Sequence, residues 1–190
     1  MNRLKEVINL LQTKNKVTTI MNSREVIVAL LPEACSRHNS PSRAWAITDC
    51  CSLATGKGDW DIVCCIPALD TNAASAAIAK AFPIYSAKTS QTINRFINIL
   101  FLSDNQFYTS PKLHHLIEGV RLAASLFDRP TSDLNVSAFI TEAKKVAAIN
   151  PAVSTTIIQG QELPKQGFGG LWGVGKAAAD PPALVCLTWK

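Results

Sequence analysis

The 190-residue chain has no long apolar run. Its uncharged stretches contain Ser, Thr, Asn or Pro and never give the roughly 18 consecutive apolar residues that a transmembrane helix needs. Met1 to Ile8 contain no hydrophobic segment of a secretory signal. With 47% hydrophobic and 17% charged residues, the composition is that of a folded chain with a core. We therefore expect a folded cytoplasmic protein with no membrane partner.

The cysteine spacing indicates neither a metal site nor a disulfide framework. The six cysteines include two adjacent pairs and no C-x-x-C motif, and adjacent cysteines rarely bridge each other. No histidine lies at zinc-ligand spacing from a cysteine, and the adjacent histidines have no evident partner. We expect reduced, buried thiols, with zinc binding as the alternative. These residues are Cys35, Cys50, Cys51, Cys64, Cys65, Cys186, His38, His114 and His115.

The formal net charge of +5 raises the question of a nucleic-acid partner. The 19 basic residues are scattered, and Lys144-Lys145 is the only adjacent basic pair. Aromatic and basic residues do not interleave as they do in single-strand binders. We therefore expect a solvated basic surface and no nucleic-acid partner. A chain that lacks an acidic portion of a longer protein would also look basic.

Hydrophobic periodicity predicts alternating helices and strands in the first half of the chain. Apolar β-branched runs predict buried strands, and apolar residues three and four apart predict helices. Such alternation implies α/β layers around a largely parallel or mixed sheet. The predicted elements are a helix over 2–13 with Leu4, Val7, Ile8 and Leu11 on one face, a strand over Val26–Leu31, a helix from Ala44 to Leu53 that ends near Gly56–Gly58, a strand over Asp61–Pro67, an alanine-rich helix over Asn72–Phe82 and a strand over Phe96–Leu102.

Polar residues and Pro111 cluster at 104–111 and predict a boundary there. A domain over residues 1–110 would precede a second region over 111–190. In that region Asn135 is the expected N-cap of a helix. The predicted elements are a helix with a stripe from Leu113 to Phe127, a helix with Val136, Phe139, Ile140, Ala143 and Ala147 on one face, a strand over Val153–Ile158, a helical turn over Gln161–Gln166, a glycine segment and a strand over Ala183–Trp189.

The glycine segment, residues 167–176, can be interpreted in two ways. Gly170, Gly175 and Lys176 match the G-x-x-x-x-G-K pattern of a phosphate-binding loop, but Ala177 stands where Ser or Thr should bind magnesium. The strand that should precede the loop also ends far upstream. A dinucleotide fingerprint built on Gly173-Val-Gly175 and Ala178 is weaker still. We favour a helix of small residues that lets the backbone pack closely.

Other chemistry-bearing residues form no active-site pattern. Ser36–Ser42 places His38 among serines, but no G-x-S-x-G elbow exists. We interpret this segment as a capping loop in which Ser40 or Ser42 caps the next helix. Asp59 and Asp61 would share a strand face, which is weak support for a metal site without a nearby histidine. From its residues alone, the chain is an α/β scaffold without an assembled active site.

Three specific stretches follow one another along the chain. They are Ser36–Ser42 with Ala79–Pro83, then Gly119–Pro130, which ends in Phe-Asp-Arg-Pro, and then Gly167–Ala178 with Pro181–Leu187. Together they resemble the leucyl (cytosol) aminopeptidase family, and in particular the branch of "probable aminopeptidases" found in animals. The resemblance extends in order from about residue 25 to the last residue, and the first residues match least.

The resemblance implies a macro-like, three-layer α/β N-terminal domain, a larger catalytic domain and assembly into hexamers. It implies removal of N-terminal residues from peptide substrates, with two divalent metal ions (Zn or Mn) that activate a water and polarise the carbonyl. The implied ligands lie in motifs of the type GKG…DTGG and NTDAEGR. Neither motif occurs in this chain, and Asp-Trp-Asp follows Gly56-Lys-Gly58 instead. No catalytic, cofactor-binding or metal-binding residue is therefore assigned.

We thus expect an N-terminal piece of a metalloaminopeptidase, with the N-terminal domain and a truncated beginning of the catalytic domain. Such a piece would bind no metal and be inactive by itself. The alternative is a short, non-catalytic protein that acts as an oligomerisation or ligand-binding α/β module. Coding sequence after Lys190 that reads into a GKG…DTGG motif would separate the two.

Overall fold

A computed structural model describes residues 2–11, 15–35, 37–38, 40–54, 58–87 and 95–190. The chain divides into two compact units, Met1–Phe127 and Asp128–Lys190. The expected domain boundary at residue 110 stays a prediction. Among the described residues, no helix has the length and apolar character needed to cross a membrane.

The first unit begins with a helix and a hairpin. Helix α1 spans Asn2–Leu11, and strands β1 (Lys16–Met21) and β2 (Arg24–Ala29) pair in antiparallel register. The turn residues Asn22 and Ser23 have φ values of 50° and 63°, the left-handed conformation that fits a two-residue hairpin turn.

The sequence pattern describes this region only in part. The predicted helix is confirmed over its described residues, although Ile8 is exposed while Val7 and Leu11 are buried. The predicted strand at 26–31 begins and ends two residues earlier, and it is half-buried rather than buried. Strand β1 is not predicted, because a half-exposed antiparallel strand contains too many polar residues to form an apolar run.

The core of the first unit lies between a mixed sheet and three helices. Strands β3 and β4 are parallel, and the short β5 is antiparallel to β4. The α/β class and the mixed sheet are therefore confirmed. The elements are α2 (Ala44–Cys51), β3 (Trp60–Cys65), a 3-10 turn (Ala68–Asp70), α3 (Thr71–Ala81), β4 (Ile97–Ser103), β5 (Gln106–Tyr108) and α4 (Pro111–Asp128). The buried cluster contains Ile47, Cys51, Ile66, Ala74, Ala77, Ile78, Phe101 and Leu113.

Alternation along β3 and β4 separates a covered face from an exposed one. The register pairs Ile62 with Ile99 on the covered face, where both pack against the buried cluster. Val63 and Leu100 pair on the opposite face and are exposed. After β4, Asp104 and Asn105 turn the chain with φ values of 50° and 60°. The polar stretch after β4 is thus a hairpin turn followed by β5, which the sequence pattern does not predict.

Arg43, not a serine, occupies the position before α2. It is the N-cap residue, has a φ of 55° and makes no side-chain capping bond. Its guanidinium donates to the carbonyl oxygens of Pro32, Glu33 and Pro41, the last two at 2.7 and 2.8 Å. The hydroxyls of Ser40 and Ser42 lie 2.7 Å apart and hydrogen bond to each other. The predicted serine cap is therefore wrong. The expected helix end near Gly56–Gly58 lies partly outside the described residues.

The second unit contains the predicted elements in the predicted order. Strands β6 and β7 are antiparallel and pair along their whole length. Asn135 is confirmed as an N-cap, because its Oδ1 accepts the N–H of Ala138 at 2.9 Å. Ile140, Ala147 and Leu163 are buried. The elements are α5 (Val136–Ala148), β6 (Val153–Gln159), α6 (Glu162–Lys165), α7 (Gly169–Gly175) and β7 (Ala183–Trp189).

Candidate functional site

The glycine segment forms a helix rather than a phosphate-binding loop. A phosphate loop precedes a helix, so that the first free N–H groups of the helix point at the anion. Here Gly170 lies inside α7 and Lys176 caps its C-terminal end. The C-terminal end carries unpaired carbonyls and a partial negative charge, which repel an anion. The geometry therefore favours the packing interpretation of these glycines.

Close packing is required at one of these glycines. A Cβ atom on Gly175 would lie 2.4 Å from the Cβ atom of Pro182, which no side chain tolerates. Gly169, Gly170 and Gly173 have open space at the same position. The Pro-Pro segment therefore lies against the C-terminal end of α7, and Gly175 permits that contact.

Asp180 ties the segment after α7 to the start of α5. Its carboxylate accepts hydrogen bonds from the backbone N–H of Ser137 at 3.2 Å and from the Ser137 hydroxyl at 3.1 Å. Ser137 lies in the first turn of α5, where free N–H groups favour a negative charge. Sequence reasoning misses this second cap, because Asp180 is 43 residues away from Ser137. The carboxylate thus has a structural role.

None of the six cysteines forms a disulfide, and their thiols differ in exposure. Cys51 is buried, whereas Cys65 and Cys186 are exposed, so the expectation that all six are buried is wrong for these two. Burial raises the pKa of Cys51 to about 12 and that of Cys64 to about 11, and neighbouring thiols add to both shifts. Burial also raises the pKa of Cys50. A neutral, buried thiol is a poor nucleophile and a poor metal ligand.

The remaining candidate groups make structural contacts. Asp59 Oδ1 accepts the backbone N–H of Phe96 at 2.7 Å, and Asp61 Oδ1 accepts the Asn98 amide at 2.8 Å. Both carboxylates therefore join β3 to the start of β4. His38 Nε2 accepts a hydrogen bond from Arg37 at 3.1 Å.

The adjacent histidines have a partner that the sequence pattern did not reveal. Glu118 lies 3.2 Å from His114 and 3.8 Å from His115 on the exposed face of α4. Helical spacing of three and four residues places these groups together. Across the residues that the structure describes, no three His, Cys, Asp or Glu side chains come together as metal ligands.

An open cleft of about 650 Å³ lies at the carboxyl ends of β3 and β4. Ligands of open α/β sheets bind at this end of the strands, in pockets of roughly 300–1,000 Å³. Among its lining residues Asp104 alone is charged, and Leu69 is almost fully exposed at the rim. Sequence reasoning missed the cleft, although the predicted strands end in residues that line it. It is lined by Cys65, Ile66, Pro67, Ala68, Leu69, Leu102, Ser103, Asp104 and Asn105.

Two family models match the chain in order. Residues 3–91 match the "M17 aminopeptidase N-terminal domain 2", and residues 121–190 match part of the "Cytosol aminopeptidase family, catalytic domain". "Probable aminopeptidase NPEPL1" of Homo sapiens is 36% identical over 173 residues, which are 85% of this chain and 32% of that protein. "Leucine aminopeptidase 1" of Caenorhabditis elegans is 40% identical over 114 residues, which are 60% of this chain and 23% of that protein.

Solved structures agree with these matches. The C. elegans leucine aminopeptidase structure is 34% identical, has a TM-score of 0.74 and covers 85% of this chain and 34% of that one. The apo leucyl aminopeptidase of Trypanosoma brucei has a TM-score of 0.81 over 97% of this chain and 41% of that one, and at 21% identity it supports the fold alone. The chain spans about a third of the length of its NPEPL1 relatives. The resemblance inferred from the sequence is confirmed, and this chain belongs to the M17 leucyl aminopeptidase family.

Proposed function

We propose that this chain supplies the N-terminal domain and part of the catalytic domain of an aminopeptidase that removes N-terminal residues from peptides. The observation that supports this proposal most is the order of the two family matches, which together extend over most of the chain. The relatives are named aminopeptidases. In this proposal the enzyme acts in the cytoplasm, in assemblies of several identical subunits.

Metal binding and cleavage would then need sequence outside the part matched here. The family chemistry implied by the sequence uses two divalent ions, Zn or Mn, held by a Lys and several carboxylates. The described residues do not fit such a site, because their carboxylates are dispersed and no three metal-ligating side chains lie together. We assign no residue of this chain to the metals and derive no catalytic step from it.

The first experiment tests the chain by itself. The purified 190-residue protein is incubated with a leucyl chromogenic substrate and with Zn²⁺ or Mn²⁺. We expect no release of the chromophore above background, because the chain contains neither metal motif. Turnover that a chelator abolishes would show that the chain is a complete enzyme and would refute the assignment of the metal site to other sequence.

The second experiment tests the family function. In a chimaera, these 190 residues replace the aligned part of C. elegans leucine aminopeptidase 1, with the unmodified nematode protein as the control. We expect chelator-sensitive hydrolysis of the leucyl substrate by both proteins. A chimaera that unfolds cooperatively but shows no hydrolysis would contradict the proposed role of this chain.

A further inference from the structure

The cleft at the carboxyl ends of β3 and β4 is built by two neighbouring segments of the first unit. Cys65 pairs with Leu102 in the parallel register, and the N–H of Ile66 donates to the carbonyl oxygen of Leu102 at 3.1 Å. The chain therefore leaves both strands side by side, and residues 66–69 and 103–105 form two walls of the cleft. Its volume of about 650 Å³ is sufficient for a ligand the size of an amino acid or a short peptide.

The two walls differ in their chemistry. The wall after β3, residues 66–69, contains Ile, Pro, Ala and Leu, and its last residue, Leu69, is 94% exposed at the rim. The wall after β4, residues 103–105, contains Ser, Asp and Asn. There the hydroxyl of Ser103 donates to Oδ2 of Asp104 at 3.2 Å, which holds the carboxylate in place. The cleft thus presents an apolar surface opposite a carboxylate.

The charges at the cleft favour a cation over an anion. Asp104 is the only charged residue that lines it, and the lining contains neither Lys nor Arg. Helix α3 begins close to the apolar wall, and a helix start attracts anions, but its N-cap residue is Asp70, a second acidic residue. A phosphate group would therefore meet negative charge without a basic partner. An ammonium group would instead donate a charge-assisted hydrogen bond to the carboxylate of Asp104.

We propose that this cleft binds an apolar amine, with the ammonium group at Asp104 and the apolar side chain against Leu69. Small amino-acid amides and the free N-terminal residues of peptides share this chemistry. The lining residues all lie between positions 65 and 105, before the part of the chain that matches the catalytic domain, so the inference goes beyond the proposed function. One exposed ion pair and one partly covered side chain give weak binding, with a Kd of about 1 mM.

Alkylation of Cys65 measures occupancy of the cleft. Cys65 lines the cleft and is exposed, and the exposed Cys186 of the second unit is the internal control. The 190-residue protein is treated with N-ethylmaleimide at pH 7, with leucinamide or with N-acetylleucinamide, which has the same side chain without the charge. At about 10 mM we expect leucinamide to slow modification of Cys65 about tenfold and N-acetylleucinamide to slow it less than about twofold. Modification of Cys186 should not change. Equal protection by both compounds, or none by leucinamide, would overturn the proposal.

Variants test the two contacts separately. Asp104→Asn removes the charge and keeps a residue type that tolerates the φ of 50° at this position, and it should reduce the protection by leucinamide to less than about twofold. Leu69→Ser removes an exposed side chain without affecting the fold and should weaken the protection about threefold. Asp49→Asn is the matched control, because Asp49 is exposed on α2 and does not line the cleft. Full protection in both the Asp104 and the Leu69 variants would refute the site.

Further ligands identify the source of the amine. Protection of Cys65 by the peptide Leu-Gly-Gly equal to that by leucinamide would assign the site to peptide N-termini, and protection by leucinamide alone would assign it to small amines. Inorganic phosphate at the same concentration should not protect Cys65, and protection by phosphate would overturn the proposal. The measurement involves no peptide cleavage. A folded chimaera without hydrolysis would therefore refute the proposed function and leave the amine site unaffected.

Discussion

Five described non-glycine residues adopt a positive φ, and four of them fit a simple rule. Asn22, Ser23, Asp104 and Asn105 form two-residue hairpin turns, and Asn and Asp tolerate the left-handed conformation. Arg43 does not belong to these residue types. Its guanidinium donates to three carbonyls of the preceding loop, which holds the residue in this conformation. No spacing rule predicts that contact, because it depends on where the carbonyls of Pro32, Glu33 and Pro41 lie.

Substitutions of Arg43 separate the effect of its guanidinium hydrogen bonds from the effect of its left-handed backbone conformation. Arg43→Ala removes the three hydrogen bonds and should lower the free energy of unfolding by about 1–3 kcal/mol. Arg43→Gly removes the same bonds but relieves the left-handed conformation, so it should be about 1 kcal/mol more stable than the alanine variant. Urea unfolding followed by circular dichroism measures both. The exposed Arg24→Ala serves as the control and should change stability by less than about 0.5 kcal/mol. Equal stability of the Gly and Ala variants would show that the backbone at residue 43 is not strained.

Adjacent cysteines should differ sharply in reactivity. Cys64 and Cys65 are neighbours on opposite faces of β3, and burial raises the pKa of Cys64 to about 11 while Cys65 is exposed. At pH 8 we expect N-ethylmaleimide to modify Cys65 and Cys186 at least about 100-fold faster than Cys51 and Cys64, as measured by mass spectrometry of the peptides. In urea all six should react at similar rates. Equal labelling of Cys64 and Cys65 in the folded protein would contradict the assignment of faces.

The same pKa shifts make stability depend on alkaline pH. An unfolded thiol ionises near pH 8.5, whereas Cys51 and Cys64 stay protonated in the folded state to about pH 12 and 11. The contribution of these two protonated thiols to the free energy of unfolding is therefore complete below about pH 8.5. It is lost as the pH rises through their pKa values in the folded state.

At the scale of helices and strands, the sequence predicts the elements that have a repeating apolar pattern. It misses the two strands that are formed by hairpin turns. Helices α2 to α5 and strands β3, β4, β6 and β7 follow from their apolar patterns. Strands β1 and β5 are half-exposed or short, so they do not form an apolar run. A signal for both existed in the dipeptides Asn22-Ser23 and Asp104-Asn105, whose residue types favour hairpin turns.

Periodicity identifies an apolar face but does not tell whether another element covers it. Ile8, Phe127 and Phe139 lie on predicted apolar faces of α1, α4 and α5, yet all three are exposed. The opposite error occurs at Leu163, which is fully buried in the four-residue helix α6. Coverage depends on tertiary packing, which a local pattern does not contain.

Glu142 gives helix α5 a pH-dependent contribution to stability. It accepts a hydrogen bond from Arg129 at 3.0 Å and one from Lys145 at 3.2 Å. The bond from Arg129, followed by that from Lys145, holds the pKa of Glu142 below its usual value. Because the folded pKa is lower than the unfolded pKa of about 4.3, the contribution is complete above that pH and is lost as the pH falls through the folded value.

We therefore expect Glu142→Gln to be less stable than wild type at pH 7 and the difference to shrink below about pH 4. Urea unfolding at a series of pH values measures it. Glu162→Gln is the matched control. Glu162 forms an ion pair with Lys165 on α6, but this pair is exposed to solvent and contributes little to stability. A difference between wild type and Glu142→Gln that stays constant from pH 7 to 3 would contradict the assigned cause.

At the scale of the whole molecule, family and fold class were predictable, and the open cleft was not. The glycine segment followed by the Pro-Pro strand identifies the family, because this order of residues is specific. The residues themselves have structural rather than catalytic roles in this chain. The cleft forms where two strands separated by more than 30 residues end side by side, so its lining residues share no local pattern. Site prediction from sequence depends on motifs. The described residues contain no catalytic motif, and their polar side chains form structural contacts instead.

The extent of the first unit can be tested by truncation. Leu113 of α4 is buried in the same cluster as Ile47 and Phe101, and Arg121 Nε donates to the carbonyl of Phe82 at 3.1 Å. A protein of residues 1–127 keeps both contacts, whereas a protein of residues 1–110 loses them. We expect the longer protein to unfold cooperatively and the shorter one to bind the dye ANS and to have a lower Tm, because its core surface is exposed.

Point substitutions in the full chain make the same test without truncation. Leu113→Ala should lower the free energy of unfolding by about 2–4 kcal/mol, because it removes buried methyl groups and leaves a cavity. Phe127→Ala is the control on the same helix, and it should have almost no effect because Phe127 is 89% exposed. If Leu113→Ala is neutral and residues 1–110 melt like residues 1–127, then α4 is not part of the first core and the boundary predicted at residue 110 is correct. A cost confined to Leu113 would instead place the start of α4 in the core of the N-terminal unit and would contradict a boundary at residue 110.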